Sequence, residues 1–178
     1  MFLLAHAPIL IVWIILAWMG YDSLPERIPT HFDASGTPDG YMARSFSSWF
    51  LLPLVGVITV LTILFSTVIT SRHPARLNVP NKKVFLALTR EQQKPLTEMV
   101  NTSMTVMSLL TLLFLASLHY DTWRVATNTM PGLSFVSMGA LGLLLAITVA
   151  GTIWFMVTFN RRVKEAAAQN AARDSARR

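Results

Sequence analysis

The chain has 178 residues, of which 53% are hydrophobic and 13% charged, and its formal net charge is +6. Soluble domains carry about 25% charged residues, so the composition excludes an ordinary soluble globular protein. The absence of cysteine excludes disulfides, thiolate metal sites and thiol nucleophiles. No base-stacking or groove-reading element accompanies the basic charge, so no nucleic acid partner is expected. The expected partner of the basic segments is the lipid bilayer.

Four apolar segments without Asp, Glu, Lys or Arg are long enough to cross a bilayer, which takes about 20 residues as an α-helix. They predict spans at about 2–20, 47–69, 100–118 and 133–159. The fold class that follows is an all-α membrane protein, a bundle of four transmembrane helices. These helices form a single domain over residues 1–160, followed by a basic tail at 161–178. The first segment lacks a signal peptide's basic start and cleavage site, so it is expected to remain as a helix.

Lysine and arginine predict the orientation, because loops rich in them stay in the cytoplasm. The loops after the first and third spans carry 3 of these residues, whereas the loop 70–99 and the tail carry 12. This asymmetry predicts a multi-pass protein with both termini and the loop 70–99 in the cytoplasm. The loop 21–46 then lies on the extracytoplasmic side.

The loop 21–46 combines many turn-forming residues with apolar ones, which is typical of a short ordered segment. Residues 31–33 are predicted to be extended. Glycine at Ser35-Gly36 and at the end of the stretch 38–40 predicts a tight turn at each place. We expect the loop to fold onto the outer ends of the helices.

Histidine and carboxylate side chains on this side are candidate ligands for a divalent metal such as zinc. His31 and Asp33 lie two residues apart, so an extended backbone places both on one side. Asp39 follows them, and His119 and Asp121 end the third span. One interpretation is a metal bound by His31, Asp33 and His119. In the others, His31 senses protons or a ligand, or it hydrogen-bonds the loop while Asp33 and Asp39 accept bonds in turns.

The sequence does not predict an enzyme or a transporter. No nucleophile-elbow pattern surrounds a Ser–His pair, and no Asp lies within a span as an intramembrane aspartyl protease requires. A pump or transporter usually needs an ionisable side chain in mid-membrane. The small residues of the fourth span instead predict packing between helices, and they are Gly139, Gly142, Ala146 and Ala150.

The stretch 83–100 mixes apolar and charged residues between the second and third spans. It predicts an interfacial helix on the inner leaflet that Pro95 interrupts. Thr89 with Gln92 or Gln93 fits a helix cap. The alternative is that 83–100 is a docking surface for a cytoplasmic partner.

The loop also carries a motif, LPERIPTHFDASGTPDGY, which begins at Leu24 and ends at Tyr41, between the first two spans. It resembles the signature of the domain of unknown function 1648, which is found in SdpI-like immunity proteins. The family more often has tryptophan where this chain has Tyr41. The stretches 78–87 and 119–128 also resemble a bacterial subgroup, so the resemblance covers most of residues 1–130.

The resemblance implies a protein of the bacterial cytoplasmic (inner) membrane in an immunity or signalling role. It would bind or sense a peptide or protein partner at its extracytoplasmic loop, and the resemblance implies no particular cofactor. The candidate ligand-binding or loop-organising residues are His31, Phe32, Asp33, Gly36, Asp39, His119 and Asp121. Two alternatives stay open, an accessory or structural subunit of a larger membrane complex and a metal-dependent membrane enzyme.

Overall fold

The computed structural model of the chain describes residues 2–177; the outermost residues of the predicted domain and tail, Met1 and Arg178, lie outside it. Six α-helices and a two-stranded sheet occur along the described chain. They are α1 (Phe2–Gly20), β1 (Arg27–Phe32), β2 (Pro38–Ala43), α2 (Phe46–Trp49), α3 (Leu51–Arg72), α4 (Lys82–Ala87), α5 (Arg90–Ala126) and α6 (Phe135–Ala176).

Four of these helices, α1, α3, α5 and α6, are long and apolar enough to cross a membrane. The helices α1 and α3 have 19 and 22 residues, close to the number of about 20 that a span requires. The helices α5 and α6 have 37 and 42 residues, so each is longer than the hydrocarbon layer requires. The chain is a multi-pass membrane protein, as the sequence predicts.

The helix α5 begins at Arg90 and runs through Pro95 without a break, so the prediction that Pro95 interrupts a separate interfacial helix is wrong. A capping box fixes the first turn: the Gln92 side chain accepts from the Thr89 amide at 3.1 Å, and the Thr89 hydroxyl accepts from the Gln92 amide at 3.4 Å. Leu96 and Val100 are buried on one face of the same helix. Capping and burial together offset the hydrogen bond that proline cannot donate.

The chain divides into two compact units. The first joins the chain up to Thr62 with Ser108–Ala146, and the second joins Ile63–Met107 with the chain from Ile147 onwards. The long helices α3, α5 and α6 each contribute to both units. The predicted site residues belong to the first unit apart from Ala150 of the small-residue set, and the alternative docking stretch 83–100 belongs to the second unit.

The first unit has an aromatic core between its helices. Trp13 of α1 is buried together with Val60 and Leu112. A Cβ atom built on Gly56 of α3 would lie 2.6 Å from the Trp13 ring, so only glycine admits the indole at this point. A second cluster, formed by Leu24, Ile28, Trp49 and Ala126, lies beneath the β-hairpin.

The second unit has an apolar core with amide hydrogen bonds around it. Phe85 of α4 and Phe159 of α6 are fully buried there. Gln92 of α5 donates to the side-chain oxygen of Asn170 at 2.9 Å, and the side chains of Asn81 and Asn160 are also bonded. The tail after Asn160 is helical as far as Ala176.

The loop 21–46 contains an antiparallel β-hairpin, so the description of the fold as all-α omits a small sheet. Ile28 of β1 pairs with Met42 of β2, and His31 pairs with Gly40. The stretch 38–40, predicted as a tight turn, is instead the start of β2. The turn lies earlier, after Asp33, because that carboxylate binds the backbone amides that the turn leaves unpaired.

The small-residue face of α6 is exposed in the described part of the chain, so its packing against a helix stays a prediction. A Cβ atom built on Gly139 or Gly142 would meet no atom within 4 Å. Ala146 and Ala150 are exposed as well. The contacts made by the start of α6 come instead from polar side chains, such as the bond between Ser137 and Ser117 at 2.6 Å.

Candidate functional site

The turn of the β-hairpin is organised by the carboxylate of Asp33. One of its oxygens accepts hydrogen bonds from the Ser35 hydroxyl at 2.6 Å, the Ser35 amide at 2.8 Å and the Thr37 amide at 2.9 Å. The Ser35 hydroxyl, followed by the Thr37 amide, holds the pKa of Asp33 below its usual value of 3.8. The carboxylate therefore stabilises the turn in its charged form.

The tip of the hairpin is fixed to the connection between α5 and α6. The carbonyl oxygen of Gly36 accepts from the Leu133 amide at 2.8 Å. Gly36 has φ +82°, and a Cβ atom there would lie 3.1 Å from Leu133, so both backbone conformation and space favour glycine. Asp121 holds the same connection, accepting from the amide and hydroxyl of Ser134 at 2.7 and 2.6 Å.

The two faces of the hairpin differ in what they contact. Ile28 and Pro29 are buried against the core of the first unit. On the exposed face, His31 Nδ1 is 2.5 Å from a carboxylate oxygen of Asp39, and the two side chains are 72% and 48% exposed. A Cβ atom on Gly40 would lie 2.8 Å from the His31 Cβ, so glycine leaves room for this pair. The hairpin is thus anchored through Ile28 and Pro29 and exposes the His31–Asp39 pair.

The structure separates the three residues that were predicted as a metal site. His31 bonds Asp39 on the exposed face, Asp33 accepts hydrogen bonds within the turn, and His119 is buried. Within residues 2–177, no group of three or more His, Asp or Glu side chains is arranged to hold a metal ion. The carboxylate of Asp121 accepts a hydrogen bond from Ser134, and Phe32 is half-buried.

His119 lies between two tryptophans inside the first unit. The indole N–H of Trp13 donates to His119 Nδ1 at 2.9 Å, and the Trp49 ring centroid is 4.1 Å from the imidazole. Because Nδ1 accepts a hydrogen bond, the proton of the neutral imidazole lies on Nε2. That buried Nε2 has no hydrogen-bond partner among the described residues.

An apolar cavity of about 710 Å³ adjoins His119 between α1 and α5. We call it the aromatic cavity, because three tryptophans and a tyrosine contribute to its wall. Ligand sites commonly have volumes of about 300–1,000 Å³. The residues that line it are Pro8, Ile9, Val12, Trp13, Leu16, Ala17, Met19, Gly20, Ser23, Trp49, Ala116, His119, Tyr120 and Trp123.

All three tryptophans of this wall use their indole N–H groups to join parts of the unit. Trp49 donates to the carbonyl oxygen of Ala17 at 2.8 Å, and Trp123 donates to the hydroxyl of Ser23 at 2.9 Å. These bonds, with that of Trp13, fix the rings. The aromatic cavity therefore has a rigid wall on the sides where these rings lie.

Sequence reasoning identified His119 but missed the aromatic cavity and the role of Trp13. A tryptophan buried within an apolar span needs an acceptor for its N–H, but the spans contain many hydroxyl side chains that can accept. The pairing of Trp13 with His119, like the cavity, therefore depends on helix spacing that no residue pattern reveals.

Comparison with known proteins gives a family for part of the chain. The family described as "Domain of unknown function (DUF1648)" matches residues 8–57, which include the hairpin and much of the α1 wall of the cavity. An "Uncharacterized protein" from Archaeoglobus fulgidus is 32% identical over an alignment of 93 positions that covers 47% of this chain and 49% of the relative. The chain thus spans about half the length of that relative. No solved structure matches the present chain.

Proposed function

We propose that this chain is a binding or sensing protein of the bacterial cytoplasmic membrane that recognises a peptide or protein through the exposed face of its β-hairpin. The observation that carries the proposal is the contrast between the two faces of this hairpin. Buried contacts of Ile28 and Gly36 fix its shape, the exposed carboxylate of Asp33 holds its turn, and His31 and Asp39 remain exposed. A surface fixed in this way binds with little loss of conformational entropy.

The proposal assigns the hairpin to the extracytoplasmic side, with both termini in the cytoplasm. The distribution of lysine and arginine supports this orientation. The match of residues 8–57 to the DUF1648 family, together with the hairpin motif's resemblance to SdpI-like proteins, supports an immunity or signalling role. In such a role, the ligand arrives from outside the cell and the hairpin is the first structured element that it meets.

The test is the survival of cells that lack the gene when they are exposed to culture fluid from cells that carry it. We expect the deletion to sensitise the cells and the wild-type chain to restore protection. A chain with His31→Ala and Asp39→Ala should reach the membrane at normal abundance but fail to protect.

The control is His73→Ala, which alters an exposed histidine on the 70–99 loop and should protect as the wild type does. Equal survival of deletion and wild-type cells would contradict an immunity role. Full protection by the hairpin variant would contradict recognition through His31 and Asp39.

An accessory subunit of a larger membrane complex is a second candidate, favoured by the exposed small-residue face of α6. Gly139 and Gly142 leave open space of the kind that lets a second helix approach closely. Purification in mild detergent tests this alternative: a stoichiometric partner that is lost on Gly142→Leu supports it, and a lone monodisperse chain counts against it.

A further inference from the structure

The aromatic cavity opens towards the bilayer. Its wall includes Val12, Leu16 and Met19 of α1, which are 56%, 59% and 71% exposed. In a spanning helix such side chains face hydrocarbon, so the occupant comes from an apolar phase. On α1 the wall extends from Pro8 to Gly20, about 18 Å at 1.5 Å per residue. One leaflet of the hydrocarbon core has a similar thickness, about 15 Å.

A cation without a carboxylate partner lies next to this cavity. Arg124 is in the last turn of α5, and its guanidinium carbon is 5.8 Å from the ring centroid of Tyr120, which lines the cavity. Among the described residues, the ion pairs are His31 with Asp39 and Arg161 with Glu165, so no carboxylate neutralises Arg124. Guanidinium groups bind phosphate oxygens in a bidentate manner.

We infer that the aromatic cavity binds one phospholipid molecule, with an acyl chain along α1 and its phosphate on Arg124. The apolar wall matches the chain in polarity and in length. The helix end places Arg124 at the level expected of headgroups, where basic side chains bind lipid phosphates. This site is separate from the exposed face of the hairpin, so it does not depend on the proposed recognition role.

The test uses the full chain, purified in detergent and stripped of lipid, with dioleoyl phosphatidylglycerol as the probe and native mass spectrometry as the readout. We expect one lipid per chain to bind well before any others. Dioleoylglycerol, which has the same chains but no phosphate, should bind about tenfold more weakly, as should phosphatidylglycerol to Arg124→Gln.

A matched pair of variants tests the cavity itself. Val12→Trp fills the cavity and should weaken lipid binding by about tenfold or more. Ile11→Trp places the same ring on the neighbouring residue, which is 57% exposed and does not line the cavity, and should bind normally. Circular dichroism establishes that both variants remain helical.

Three results would overturn the inference. The first is equal affinity for phosphatidylglycerol and dioleoylglycerol, which would remove the phosphate from the site. The second is equal lipid binding by the Val12 and Ile11 variants. The third is that a hydrophobic peptide, and not phosphatidylglycerol, binds in a manner that depends on Val12.

Discussion

The two units of this protein use polar side chains in different ways. In the second unit, the side chains of Gln92 and Asn170 bond to each other beside an apolar core. In the first unit, Asp33 and Asp121 fix backbone, and the bonded pair of His31 and Asp39 is exposed to solvent. The second unit therefore has the character of a scaffold, whereas the first holds a cavity and an exposed polar surface. Function is expected where polar groups are both fixed in place and exposed, as His31 and Asp39 are.

The largest effect should come from the scaffold. Phe85→Ala removes a fully buried ring and should lower the free energy of unfolding by about 3–5 kcal/mol. This change in the free energy of unfolding is measured by denaturant unfolding of the purified protein in mixed micelles. Leu86→Ala, on the same helix but 41% exposed, is the control and should cost much less. Similar losses for both variants would show that this core is not the scaffold described.

A smaller effect is expected at the tip of the hairpin. Gly36→Ala puts a side chain at φ +82° and close to Leu133, and backbone strain of this kind costs about 1–3 kcal/mol. Amide hydrogen exchange should rise at residues 33–38 and remain unchanged in α4. Ala34→Gly, at an exposed neighbouring residue, is the control. Unchanged exchange in the Gly36→Ala variant would mean that the tip is not docked.

The charge of Asp33 should make the turn sensitive to acid. Since the pKa of Asp33 is lowered from 3.8, the stabilisation is complete above that value and is lost as the pH falls through the lower pKa of the folded state. The amide NMR shifts of Ser35 and Thr37 should titrate with a midpoint below 3.8. Asp33→Asn should abolish this titration, and a midpoint at 3.8 or above would contradict the assignment.

The smallest effect on stability is expected from the exposed pair. His31 and Asp39 are 72% and 48% exposed, and such pairs contribute about 0.2–1 kcal/mol. A double-mutant cycle with His31→Ala and Asp39→Ala should give a coupling energy in that range. A much larger coupling would make the pair part of the fold, which would weaken its assignment as a recognition surface.

Much of the fold follows from the sequence because hydrophobic length specifies a spanning helix. The four spans and the cap at Thr89 were predictable on this basis. The start of α5 was not, because burial of Leu96 outweighs the effect of Pro95. The sequence predicted two turns, at 35–36 and at 38–40, and local residue preference does not decide between them. The hairpin was missed because its pairing requires the turn that follows Asp33.

The candidate site was predictable only in part. The residue types of the turn predicted the acceptor role of Asp33, whereas Asp39, which was expected to accept bonds in a turn, lies in β2 and bonds His31. The interpretation of His119 as a ligand beside them was not supported, since Trp13 and Trp49 enclose that ring. Its burial results from helix packing over 106 residues of sequence separation, which no local pattern encodes.

The central claim, that the hairpin lies outside and the 70–99 loop inside, is open to a direct test because the chain contains no cysteine. Single variants Thr30→Cys on the hairpin and Lys83→Cys on the loop, both at exposed residues, would be treated with a membrane-impermeant maleimide in intact spheroplasts. We predict labelling of the Thr30 variant before lysis and of the Lys83 variant only after it. The reverse pattern would place the hairpin in the cytoplasm and contradict recognition of an external ligand.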